Sequence, residues 1–213
     1  MAIAGKHSRI KIMSDAPAVP FAEEATTADA LRVAYSITNR TKRYWSKNDL
    51  VIVETSPDGE VWTIVTSGFR IAFAGGRIVF AVAQPVGTQV RVSGAFVTVT
   101  TAAETREYSM TINNGTEDAT VLESGGSRRR VYTIQDATGS LSGFYNVNDL
   151  LAEYLLGSKK LVIELDFDST DLDGEYYAFY ALIPSKELAT AVEGLVTTST
   201  SWESDGDILI EAK

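Results

Sequence analysis

From Ala34 onward the chain repeats one design: short runs in which apolar and polar residues alternate, separated by glycine-containing turns. A period of two sends successive side chains to opposite faces of a strand, so this patterning restricts the chain to a β-rich fold. In "NDLVIVETSPDGEVWTIV" two strands flank Pro57-Asp58-Gly59, where proline presets φ and glycine accepts positive φ. "FRIAF-AGG-RIVFAVA" repeats the device around Gly75-Gly76, with Phe69, Ile71 and Phe73 on one face. "TQVRVSGAFVTVT" adds a strand, Asn113-Asn114-Gly115 reads as a turn, and "GGSRRRVYTI" enters a strand through Val131 and Ile134. The cleanest alternation follows: Leu161, Ile163, Leu165 and Phe167 point one way, Glu164, Asp166 and Asp168 the other, predicting one buried face and one acidic face. In "EYYAFYALI" both faces are apolar or aromatic, as in a central or covered strand. "LVTTSTSWES" places Val196, Thr198, Thr200 and Trp202 on one face and polar residues on the other, and "DILIEA" is a last strand.

One stretch departs from this period. In "DATGSLSGFYNVNDLLAEYLLG", Asp136 to Gly157, a small-residue turn leads into a helical pattern. Asn146 is placed as N-cap and Asp149 near the positive end of the helix dipole. Leu150, Leu151, Tyr154 and Leu155 form an apolar packing face, and Gly157 sits where a left-handed C-cap belongs. Residues 1–30 lack sustained periodicity and read as an extended arm. The predicted fold is mainly β: a sandwich or partial barrel with one flanking helix at about residues 146–156. Residues 31–213 read as a single domain, with a possible sub-boundary near 100–125.

Composition narrows the chemistry. There is no cysteine, hence no disulfide and no thiolate metal site. The one histidine, His7, lies in the arm, so Ser-His-Asp and His-metal schemes lack their central residue. "AGG" and "SGG" match no phosphate-binding loop. The acidic segment "DFDSTDLDGE" fails the EF-hand pattern, because taking Gly174 as its sixth residue puts Ser169 first and Tyr180 twelfth. It reads as a solvated acidic hairpin, with a non-EF calcium site at 166–175 as the alternative, and as a charged face rather than a glycosidase pair. No cofactor is expected, and no enzymatic activity. No apolar run is long enough to span a membrane, and Lys6, Arg9, Lys11 and Asp15 crowd out a signal-peptide core. The net charge of −9 is uneven: residues 1–143 carry 15 Lys/Arg and 14 Asp/Glu, residues 144–213 carry 4 and 14. A last third of net −10 disfavours nucleic-acid binding there. Arg128-Arg129-Arg130 is the one basic run, read as solvated or interface-pairing. Among the aromatics, Tyr177 and Phe179 are core residues by default and subunit-interface candidates otherwise.

Two segments carry a resemblance. "RRRVYTIQDATGSLSGFYNVNDLLAEYLLGSKKLVIELDFDS" followed by "YYAFYALIPSKELATAVEGLVTTSTSWESDG" resembles the core of major tail tube proteins of long-tailed (siphovirus-type) bacteriophages. There a small-residue turn, a "GFY"-like segment and a helix precede a carboxylate-bearing strand and an aromatic strand. The upstream "YSITNRTKRYWSKNDLVIVETSPDGEVWTIV" is similar to N-terminal halves of some phage tail proteins, so the resemblance spans about 34–210. It implies a structural subunit that self-assembles into hexameric rings stacked as a hollow tube. Genomic DNA would pass through that tube without specific binding. Implied partners are further copies of the chain and tape-measure, tail-terminator and baseplate or tip proteins. The implied location is the virion tail, with assembly in the host cytoplasm. On this reading Glu164, Asp166 and Asp168 are lumen-facing candidates and Arg128, Arg129, Arg130, Tyr177 and Phe179 interface candidates. The alternatives are an inner tube of a contractile or secretion-like apparatus and a monomeric ligand-binding β-sandwich.

Overall fold

The computed structural model describes residues 9–102, 105–120, 127–144, 160–166, 175–189 and 196–212. The expected helix at 146–156, with Leu150, Leu151, Tyr154 and Leu155, lies outside them, as does Asp168. The described residues are dominated by strands, with two single-turn 3-10 segments at Arg40–Lys42 and Phe73–Gly75. The chain forms two compact units: residues 1–102, 161–180 and 209–213 make the first, residues 103–160 and 181–208 the second. The single domain expected for 31–213 is thus two units, with the first crossing at 102/103.

The first unit holds two sheets. One has the order β5–β4–β8–β2–β3–β7–β6, built from β2 (Val19–Ala28), β3 (Ala34–Ile37), β4 (Ile52–Ser56), β5 (Thr63–Val65), β6 (Phe69–Ala72), β7 (Arg77–Phe80) and β8 (Gln89–Phe96). The other sheet includes β1 (Arg9–Met13), β9 (Val99–Thr101), β12 (Leu161–Asp166), the start of β13 (Glu175–Ala189) and β15 (Leu209–Ala212). Here β15 pairs β13, β13 pairs β12, β12 pairs β1 and β1 pairs β9. β1 and β9 are antiparallel neighbours, and Ser14 N–H donates to the Thr98 carbonyl just beyond them. The seven-stranded sheet is therefore an elaborated connection between two adjacent strands.

Two features of this unit correct the expectation of an arm at 1–30. β1 is hydrogen-bonded on both sides, and β2 runs through the middle of its sheet. Their patterning is hidden because β1 is only five residues long, while β2 carries a register shift between Phe21 and Glu24, where Glu23 has φ 53°. A bulge of this kind breaks the alternation from which a strand is read. The turns around Gly59 and Gly76 form as predicted, with φ of 83° and 59°. The core of the seven-stranded sheet gathers Phe21, Tyr35, Ile37, Trp45, Val53, Ile78, Phe80, Val90 and Val92. A second cluster joins Tyr44, Ala74 and Val97 to Val162, Tyr176, Ala178, Tyr180 and Leu209.

The second unit is an antiparallel sheet of order β10–β11–β14–β13, from β10 (Thr105–Asp118), β11 (Arg130–Phe144), β14 (Thr197–Ser204) and the later part of β13, Ala181 onward. Two expected turns are strands here. Asn113-Asn114-Gly115 lies inside β10, with a register shift between Asn114 and Thr116, and Asp136–Gly143 lies inside β11. Small residues in β11 have a packing cause rather than a turning one. A Cβ on Gly139 would collide with the Ser109 carbonyl oxygen and stand 2.5 Å from the Trp202 ring.

Candidate assembly surface

The carboxylates of β12 are the natural first test, because alternation predicts a free acidic face there. All six residues of β12 are buried. Leu161, Ile163 and Leu165 lie on one face as predicted, but the opposite face is covered as well. Val162 packs with Tyr44, Ala74 and Val97, contributed by the segments around the two 3-10 turns and by the chain after β8. Glu164 is 2% exposed. Lys11 Nζ donates to its Oε1 at 2.6 Å, Arg43 Nη2 donates to Oε2 at 2.7 Å, and the Tyr44 hydroxyl also donates to Oε2. The Arg43 guanidinium in turn lies 4.8 Å from the Tyr44 ring centre and 4.7 Å from that of Tyr176. Burial by itself would raise the Glu164 pKa, but the hydrogen bonds from Lys11, Tyr44 and Arg43 outweigh it and hold the carboxyl below its ordinary value. Burial, then the nearby carboxylate, pushes the Tyr44 hydroxyl up, so it stays a neutral donor. Glu164 and the buried Asp166 are therefore internal groups of the subunit, which corrects their placement on a free acidic face. The sequence does not reveal this, because Lys11, Arg43 and Tyr44 lie 153, 121 and 120 positions away. Phe179, fully buried, is likewise a core residue and not an interface residue, whereas Tyr177 is half-buried.

An acidic face does exist, in the second unit. Residues directly opposite one another across neighbouring strands share a face, and the strand registers define its rows. Glu107, Ser142, Ser199 and Glu187 form one row from β10 through β11 and β14 to β13. Ser109, Ser140, Ser201 and Ser185 form the next, and Thr111, Thr138 and Glu203 a third, followed by Asn113 with Asp136. Ser109 and Ser140 hydroxyls meet at 2.9 Å and those of Ser185 and Ser201 at 2.6 Å. Glu107, Glu187, Glu203 and Asp136 are all exposed. The face is concave at one end, where a cavity of about 350 Å³ is lined by Glu107, Ser142, Ser199 and Glu187 together with Phe144 and Thr197. Arg106 reaches this margin and stacks its guanidinium 5.0 Å from the Phe144 ring centre. The reverse face buries Ala137, Leu141, Thr200 and Trp202, each at most 2% exposed. The alternation of "TTSTSWES" puts Thr200 and Trp202 together on one face, opposite a polar one. What alternation could not supply was the register that lines that polar face up with Glu107 and Glu187.

Beyond β14, the β10–β11 pair continues as a two-stranded ribbon: Ile112–Asp118 pairs with residues back to Arg130, while β14 reaches only Thr138. On this ribbon Tyr132 and Ile134 are 81% and 78% exposed, Ile112 and Val131 are also exposed, and Arg128, Arg129 and Arg130 lie exposed at its far end. At the other end of the order, Ser185–Ala189 of β13 pair with β14. β10 is the last strand on its side, so its outer edge carries no described partner.

Among the described residues no group of three or more His, Cys, Asp or Glu could hold a metal ion, and no helix is long and apolar enough to cross a membrane. What the surface offers is an open strand edge, an exposed apolar ribbon and an acidic hydroxyl-rich face. A family profile described as phage tail tube protein matches residues 74–209, more than half of the chain, and the chain belongs to that family. It is a structural subunit of the phage tail tube, a component of the virion tail. No curated protein matches the chain. Similar solved structures include a chain of the virion of a native gene transfer agent particle, 20% identical over 54% of this chain and 89% of that one, TM-score 0.46. A chain from the tail of an empty gene transfer agent particle, refined with C6 symmetry, is 20% identical over 54% and 87%, TM-score 0.47. The SPP1 tail tube is 15% identical over 55% and 69%, TM-score 0.45.

Proposed function

We propose that this chain is the major tube subunit, that copies join edge to edge into six-membered rings stacked as a tube, and that the Glu107/Glu187/Glu203 face lines the channel. The observation that carries the reading is that face: polar and acidic, concave at one end, on a sheet whose reverse side buries Ala137, Leu141, Thr200 and Trp202. A duplex carries one negative charge per ~1.7 Å of its length, so a wall of carboxylates and small hydroxyls lets it slide without sticking. The outer edge of β10 supports lateral joining, because an exposed strand edge is a template for another strand. A head-to-tail contact of this kind closes into a ring when its rotation closes.

The ribbon beyond β14 supports a second contact between copies. An isolated two-stranded hairpin is marginal in water, and this one leaves four large apolar side chains exposed. Arg128, Arg129, Arg130 and the half-buried Tyr177 are the interface residues on this reading, with the arginines seeking the carboxylates of a chain of net charge −9. Tape-measure, terminator and tip proteins would meet the finished tube at its interior and ends, and assembly would take place in the host cytoplasm. The test is negative-stain microscopy of the purified protein across concentration and salt, coupled to a DNA-retention assay. Rings or tubes that do not retain DNA are expected; a monodisperse monomer of 23.1 kDa under all conditions would contradict the reading.

A further inference from the structure

The joint between copies has a register, and the charges along β10 and β13 restrict it. Four strands per copy alternate in direction, so a ring generated by rotation alone sets β10 of the next copy antiparallel to β13 of the first. If the rows of one copy simply continued into the next, the row ending in Glu187 would meet the row beginning with Glu107. Two carboxylates would then stand directly opposite at every joint, a destabilising pair. A shift by an odd number of residues is also barred, because it would turn the acidic face of every second copy outward.

Closure sets the size of the shift. In the eight-stranded barrel of shear 8, strands tilt by about 36° and the register moves about one residue per strand. Four strands per copy thus call for a shift of about four residues at each joint. Moving in one sense puts Glu187 opposite position 103, leaving Lys186–Ala189 beyond the start of β10 at Thr105. Moving in the other sense puts Glu187 opposite Thr111, Ser185 opposite Asn113 and Ala189 opposite Ser109 on the acidic face. On the reverse face Leu188, which is exposed in the single copy, lies against Met110, beside Ile112. Arg106 and Glu107 then pass beyond Ala189, and β13 meets the uncharged stretch from Tyr108 to Gly115.

We propose that Glu107 and Glu187 are register-setting residues of the assembly: their mutual repulsion forbids the level joint, and the ring closes with Glu187 of one copy opposite Thr111 of the next. This rests on the tube reading above, and cysteine trapping separates the two. The chain has no cysteine, so disulfides report only the introduced pairs. Three double variants carry Ser185→Cys with Asn113→Cys, Thr111→Cys or Ser109→Cys, which leaves Glu107 and Glu187 in place, and each is checked for ring formation by microscopy before mild oxidation. The expected result is a ladder of covalent multimers on a non-reducing gel for the Asn113 pair, at least tenfold more than for the other two. Rings that cross-link through Ser109, the level joint, or through Thr111 instead would overturn the register while leaving the tube intact. If neither rings nor ladders form in any variant or in the unaltered protein, the tube reading itself fails and the register falls with it.

Discussion

β12 of the first unit and the β10–β11–β14–β13 face of the second carry the same kind of sequence signal, carboxylates alternating with residues of another kind, and meet opposite fates. Glu164 on β12 is enclosed by Lys11, Arg43 and Tyr44. Glu107, Glu187 and Glu203 stand in solvent among serines and threonines. Alternation states which residues share a face; whether that face is covered depends on segments far away in the chain. In β12 the cover is supplied by residues 40–44, 73–76 and 97, and the carboxylate becomes an anchor for them. In the second unit one face buries Ala137, Leu141, Thr200 and Trp202 and the other is left open, so its carboxylates remain free to act on what lies outside the subunit.

Substitution at the enclosed carboxylate sharpens this contrast most. Glu164→Leu leaves two cations and a buried hydroxyl without their acceptor, and breaking a buried ion pair costs ~3–5 kcal/mol. Because Lys11 and Arg43 keep some access to water, about 3 kcal/mol is expected, read as a lower denaturant midpoint. The buried side of the second unit comes next. Gly139→Ala drives a methyl into the Ser109 carbonyl and the Trp202 ring, and overpacking of this kind costs ~1–3 kcal/mol. Equilibrium unfolding should show a loss of about 2 kcal/mol or more, with the same substitution at the open position Gly68 serving to expose any strain from its φ of 80° alone.

A pH series divides the two regions without large structural change. The Glu164 pKa is depressed in the folded state. Its stabilising contribution is thus complete above the unfolded value of about 4.3 and is lost as pH falls through the lower folded value. Between pH 5 and 3 the unaltered protein should lose more stability than Glu164→Gln, which no longer has that contribution to lose; parallel curves would show that the cluster does not hold the carboxylate. The smallest effect on the subunit is expected at the open face. Glu107→Lys, Glu187→Lys and Glu203→Lys should each change stability by no more than about 0.5 kcal/mol, as surface substitutions do. The triple variant should nonetheless make the assembled tube retain DNA in a salt-dependent way.

Much of this arrangement can be read from residues alone, and the rest fails for identifiable reasons. The hairpins around Gly59 and Gly76 are legible because their turn chemistry is local. The buried side of β14 is legible because Thr200 and Trp202 keep strict alternation. β2 escapes notice because its bulge at Glu23 interrupts the period. "DATGSLSG" imitates a turn because the close approach of Trp202 and the Ser109 carbonyl demands small residues in a strand. The acidic face escapes because Glu107, Ser142, Ser199 and Glu187 come from four strands, and no single segment displays more than a fragment of it. Glu164 misleads for the converse reason: its own strand displays the whole signal and none of the cover.

The exposed carboxylates of the second unit, and not those of β12, are proposed to line the channel. Cryo-electron microscopy of tubes assembled from the purified protein tests it directly. Glu107, Glu187 and Glu203 are expected on the channel wall and Glu164 inside the subunit against Lys11 and Arg43. Density that puts these three on the outer surface of the tube, or Glu164 on the wall, would contradict it.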